Sequence, residues 1–101
     1  MTIGGPMKVL KDPDDLFRAM NRKEREYQRA IDDASDGARA KAVGRAMAVR
    51  YISILVGSIT LDRDFTEADM ERLREDVEAW LARGRVEGAA WALKEIEKRM
   101  E

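Results

Sequence analysis

The sequence predicts an all-α protein, a small four-helix bundle or orthogonal helical array with a central apolar helix at about residues 37–57. Three observations carry this. Apolar residues recur at three- and four-residue steps in successive segments, the spacing that puts them on one face of a helix. Those segments begin and end on capping and breaking residues. And the single strand-like run, Tyr51 to Leu61, has no second such run to pair with.

The first helix begins at Asp12-Pro13. Asp is a good N-cap and Pro suits the first helical position, where its missing N–H costs nothing. Asp14 and Asp15 put negative charge in the first turn, where the helix dipole favours it. Leu16, Phe17, Met20, Tyr27, Ile31 and Ala34 form one apolar stripe, and Ser35-Asp36-Gly37 ends it.

The second helix runs from about Gly37 to Gly57. Its first half is rich in small residues (Ala38, Ala40, Ala42, Gly44, Ala46, Ala48), which permit close helix approach. In its second half Tyr51, Ile52, Ile54, Leu55, Val56 and Ile59 point round most of the circumference. A helix apolar all round is buried on several sides, either at the centre of the fold or in an oligomer interface. The run Tyr51–Leu61 is too short to span a bilayer, which takes about 20 apolar residues, and extending it meets Arg50 and Arg45.

Thr66 stands three residues before Asp69, an approximate capping box, with Phe65 and Met70 placed as a hydrophobic staple. The third helix therefore starts at Thr66 and shows Met70, Leu73, Val77, Trp80 and Leu81 on its apolar face, Trp80 at the margin. Gly84 ends it. A fourth helix follows with the stripe Val86, Ala89, Ala90, Leu93, Ile96 and Met100; a single bent helix through Gly84 and Gly88 is the alternative. Residues 1–11, with Gly4, Gly5 and Pro6, read as a flexible N-terminal arm without a signal-peptide run, and residues 12–101 as one helical domain.

Composition narrows the chemistry. The 101 residues include 19 basic and 20 acidic ones, a net charge of -1, so no global field draws the chain to nucleic acid or membrane. It has no Cys and no His. Disulfides and thiolate nucleophiles are excluded, along with the commonest general base and the commonest metal ligand. A reducing cytoplasm fits. Asp62 and Asp64 flank Arg63, yet a calcium loop counted from Asp62 would need Glu where Leu73 stands. Glu75 and Glu78 resemble the E-x-x-E pair with which some all-helical nucleotide pyrophosphatases bind Mg²⁺. The E-x-x-D that those enzymes also need is missing: Ala90 follows Glu87, and Lys98 follows Glu95, at that spacing. No phosphate-binding glycine loop is present. The expectation is a protein that is not an enzyme and holds no cofactor or metal.

Charge is unevenly distributed. Arg18, Arg22, Arg25 and Arg29 fall in one narrow sector of the first helix and are candidate phosphate contacts. Acids at helical spacing (Asp14, Glu26, Asp32, Asp33) also suit them for intrahelical ion pairs. Arg39, Lys41, Arg45 and Arg50 give Gly37–Leu61 a charge of +4, whereas four arginines against eight acids give Leu61–Gly84 a charge of -4. Such helices can neutralise each other within a chain or dock one subunit on the next. Trp91 falls on the side away from Val86, Leu93 and Ile96, among Glu87, Lys94, Glu95 and Lys98. A large aromatic on a charged face reads as an interface anchor, unless the first helix or a terminal arm folds over it.

The functional expectation is a homo-oligomeric structural or adaptor protein, of a phage or mobile-element type, binding itself or another protein through Trp91, Tyr51, Leu55 and Ile59, with no membrane role. A small monomeric inhibitor or regulator of another protein is the first alternative. The second rests on size and helical-hairpin layout, in which the chain resembles the oligomerising helical part of phage-type small terminase subunits. These form rings and help recognise DNA for packaging. The resemblance implies nucleic-acid contact through Arg18, Arg22, Arg25, Arg29, Lys41 and Arg45.

Overall fold

The computed structural model describes residues 8–33, 35–81 and 86–101, the side chains of Leu81 and Val86 excepted. The four expected helices are present: α1 (Pro13–Asp33), α2 (Asp36–Thr60), α3 (Glu67–Leu81) and α4 (Val86–Lys98). α2 packs against α1 and α4, and α4 also meets α1 and α3, so this is a small all-α bundle. Of Ser35-Asp36-Gly37, expected to end the first helix, Ser35 is the N-cap of α2 and Asp36 and Gly37 already belong to it, whereas Ala34, the expected stop at Gly84 and the glycine–proline arm lie outside the described residues.

Local sequence sets the helix starts. Asp12 takes a positive φ of 50°, which Asp tolerates better than most residues, and its Oδ1 accepts the Asp15 N–H at 3.2 Å as the N-cap of α1. Ser35 caps α2 by its extended backbone alone, with no side-chain bond. At α3 the box closes around the acid: the Asp69 carboxylate accepts both the Thr66 N–H (2.9 Å) and the Thr66 hydroxyl (3.1 Å). The flanking Phe65 and Met70 are both buried, as the staple requires.

One core joins all four helices. Leu16 and Met20 of α1, Val49, Ile52 and Val56 of α2, Leu73 and Val77 of α3, and Ala89, Ala92 and Ile96 of α4 are buried together. Beyond Met20, α1 has no fully buried residue, and residues 35–41 at the start of α2 are exposed. The α1–α2 hairpin therefore extends past the core. The molecule measures 55 × 28 × 20 Å, with a radius of gyration of 14.8 Å. A compact chain of this length has about 13 Å.

Two expectations are corrected. Residues 8–11, read as the end of a flexible arm, form an extended segment threaded between two parts of the fold. Val9 exchanges two backbone bonds with Glu101 (2.9 and 3.0 Å), Leu10 N–H donates to the Phe65 carbonyl (2.8 Å), and Leu10 is buried. α4 is also turned relative to its expected stripe. It buries Gly88, Ala89, Ala92 and Ile96, leaving Ala90 exposed and Leu93 and Met100 half-buried. The smallest residues face α2 because the two backbones come close there. A Cβ on Gly88 would stand 2.5 Å from the Arg45 carbonyl oxygen. Gly88 serves this close approach.

Candidate interaction surface

α2 has two apolar faces and the fold covers one. Ala42, Ala46, Ala48, Val49, Ile52 and Val56 are buried against α1 and α4. From Ala42 onward, the α2 residues left exposed are Val43, Met47, Arg50, Tyr51, Ile54 and Ser58, and Leu61 continues the row past the helix end. At about 100° per residue these fall within one sector roughly 100° wide. Ile54 is 61% exposed and Leu61 86%. The apolar all-round helix expected from sequence is thus half core and half open surface.

The flanks of this row are built. On one side α1 contributes Glu24, Gln28 and Ile31, which with Val43, Ala46, Met47 and Arg50 line a shallow groove. On the other, Trp80 of α3 meets Tyr51 edge to face, with ring centroids 4.4 Å apart at 71°. That contact fixes the Tyr51 ring and leaves its residue 47% exposed. Leu55 and Ile59, expected at the interface, are partly buried against the core and stand behind the row, next to Phe65 and Leu73.

Trp91 is not an open anchor. It is half-buried against the core, and Lys23 of α1 places its ammonium 5.5 Å from the centroid of the Trp91 ring and equally of the Tyr27 ring. α1 lies over it, as one of the two sequence readings required.

The cations divide. Arg18, Arg22, Arg25 and Arg29 are all exposed. Of these only Arg18 has an ion pair among the described residues, a loose one to Asp15 at 3.9 Å. Glu26, a suggested partner of Arg22, pairs instead with Lys23 at 3.1 Å. Lys41 is exposed, whereas Arg45 is half-buried and paired with Glu87 across the α2–α4 contact. The structure therefore keeps four phosphate candidates in one row and employs Arg45 structurally. Among the described residues, cross-helix bridges run from Arg45 to α4, from Arg74 of α3 to Glu97 of α4 (2.7 Å), and from Arg99 to Asp15 (2.8 Å).

Titration behaviour follows these pairs. Arg63 grips the buried Asp69 with two bonds of 2.6 and 2.7 Å. That guanidinium, with the Thr66 N–H and hydroxyl, holds the Asp69 carboxyl well below the usual carboxylate range against the opposing effect of burial. Burial pushes Glu95 up, but Lys98 and Arg99 outweigh it and leave the acid below its ordinary value. Glu97 raises Arg74. Each perturbed group is accounted for by a structural ion pair. Among the described residues no group of three metal-ligating side chains converges, and Asp62, Asp64, Glu75 and Glu78 are exposed.

By length and composition alone α2 is apolar enough to cross a membrane, with 33% of its most apolar window buried. Arg45 and Arg50 lie within it, and its inner face is part of the core. No protein-family model, curated protein or solved structure matches this chain.

Proposed function

We propose that this protein is a non-enzymatic interaction module that associates with copies of itself through the open face of α2, acting as a homo-oligomeric structural or adaptor protein. The observation that supports this reading most is the row Val43, Met47, Tyr51, Ile54 and Leu61. Every large apolar residue exposed among the described residues belongs to it. Scattered exposed apolar residues are ordinary, but a contiguous stripe on one helix marks a contact surface. The polar flanks, Glu24 and Gln28 on one side and Asp76 and Arg72 beyond Ile59 on the other, resemble the rim of such a surface. Self-association is the usual outcome for a small chain with one sticky face. Native mass by light scattering behind a sizing column, over a range of protein concentration, tests it: a multiple of 11.5 kDa supports the reading, and a monomer throughout removes it.

A second reading has its own observation. The exposed row Arg18, Arg22, Arg25 and Arg29 is suited to following a phosphate backbone, and an oligomer would repeat it. Neutralising the four arginines to Gln should then weaken binding to duplex DNA at low salt and flatten the fall of log Kd with log salt. No DNA binding at low salt removes this reading and leaves the first intact.

A further inference from the structure

We infer that two copies of this chain pair antiparallel along α2, with Leu61 of each copy seated on the small residues Ala40 and Gly44 of the other and Ile54 beside its Tyr51. This rests on the self-association proposed above and adds its orientation.

The row is graded in size and in charge. Its N-terminal part carries the small Ala40 and Gly44 beside Val43, while Met47, Tyr51, Ile54 and Leu61 are larger. Ala40, Met47, Ile54 and Leu61 are seven residues apart, and Gly44, Tyr51 and Ser58 interleave them at the same period. That is a heptad seam, the repeat that lets two helices stay in contact along their length. In a parallel pair small residues meet small and large meet large, opening a gap at one end and crowding the other. An antiparallel pair sets Leu61 on Gly44 or Ala40, Ser58 on Met47, and Ile54 beside Tyr51, which fills the seam evenly.

Charge points the same way. Between Gly37 and Leu61 α2 has four cations and no acid, and Asp62 and Asp64 follow directly. Both are exposed and without an ion pair among the described residues. A parallel pair sets Arg39 level with Arg39 and Arg50 level with Arg50. An antiparallel pair brings Asp62 and Asp64 of one copy to the basic N-terminal half of the other, where opposite charges steer and fix the docking. It is also the arrangement in which one patch complements itself about a twofold axis. α1 and α3 flank the row without covering it, so each helix is accessible along its seam.

The chain has no cysteine, so single labelling sites are unambiguous. Ala40→Cys and Leu61→Cys proteins are each spin-labelled, and label–label distances are measured in each alone and in their equimolar mixture, with the unlabelled protein's mass measured in parallel. The antiparallel pair gives separations of about 25 Å or more within each single variant, from the helical rise, and a separate distance of about 10–15 Å in the mixture alone. Short distances in both single variants mean a parallel pair and overturn the orientation while leaving self-association standing. A monomeric unlabelled protein overturns both. Dimeric unlabelled protein with no short distance in any sample places the contact elsewhere and overturns the α2 seam.

Discussion

Gly88 of α4 and Arg45 of α2 approach so closely that a Cβ on Gly88 would lie 2.5 Å from the Arg45 carbonyl oxygen and 2.9 Å from its Cα. The obstacle is backbone, which cannot rotate aside. The same crossing carries the Arg45–Glu87 ion pair, so α4 is fixed on α2 by contact and charge together.

Gly88→Ala should therefore destabilise the fold despite alanine's better helix propensity, by about 1–3 kcal/mol as in overpacked cores. Gly44→Ala is the control. A Cβ there meets nothing within 4 Å, so it should stabilise the monomer by about 0.5–1 kcal/mol through the lost freedom of glycine in the unfolded chain. Thermal unfolding at low protein concentration distinguishes them, since each kcal/mol moves Tm by roughly 4–8 °C in a domain of this size. Equal melting temperatures would mean the α2–α4 contact is looser than described.

Asp69→Ala removes the acid that holds the Arg63 loop and the start of α3, and should cost about 1–3 kcal/mol, the range for a lost cap and charged hydrogen bonds. Its pH dependence has a definite sign. The folded-state pKa of Asp69 lies below its unfolded value, so its contribution is fully present above about pH 4 and is lost as pH falls further toward the folded value. Denaturant unfolding between neutral pH and pH 2 should show a shallower acid-side decline for Asp69→Asn than for the native sequence. Parallel declines would mean that Asp69 contributes nothing to the acid-side loss of stability.

Trp91→Ala should act on stability, costing roughly 2–4 kcal/mol from a half-buried large side chain. The self-association constant per folded chain should stay unchanged. Lys23→Ala should lose a smaller part, about 0.5–1 kcal/mol, through the ring–ammonium contact. Tryptophan fluorescence during unfolding, paired with sedimentation, separates these effects. Loss of association with unaltered stability in Trp91→Ala would restore Trp91 as an interface anchor.

Much of this architecture is local and therefore legible in the sequence. Asp12-Pro13 and Thr66-x-x-Asp69 position helix starts through bonds within three residues, and the structure has both. Features that depend on distant backbone were not legible. The Lys8–Lys11 segment is ordered by Phe65, Glu67, Arg99 and Glu101, none of which its own sequence announces. Gly88 reads only as a weak point within a helix, because a chain cannot show that another helix will lie against it. The same limit applies to the faces of α2. Tyr51, Leu55 and Ile59 read alike in the sequence, yet Leu55 and Ile59 pack against the core while Val43, Met47, Tyr51, Ile54 and Leu61 stand exposed, because apolar periodicity records a contact face without saying which faces the rest of the chain will cover.

Sedimentation equilibrium of the native sequence beside Ile54→Glu asks whether the open row of α2 joins copies of this chain, as proposed. Ile54 is exposed in the single chain, so Glu there should leave helix content and Tm of the monomer nearly unchanged. The native sequence should form a reversible oligomer, shifted to monomer by this one charge with at least a tenfold weaker association constant. A native protein that stays monomeric at every concentration, or an oligomer that Ile54→Glu leaves intact, would contradict it.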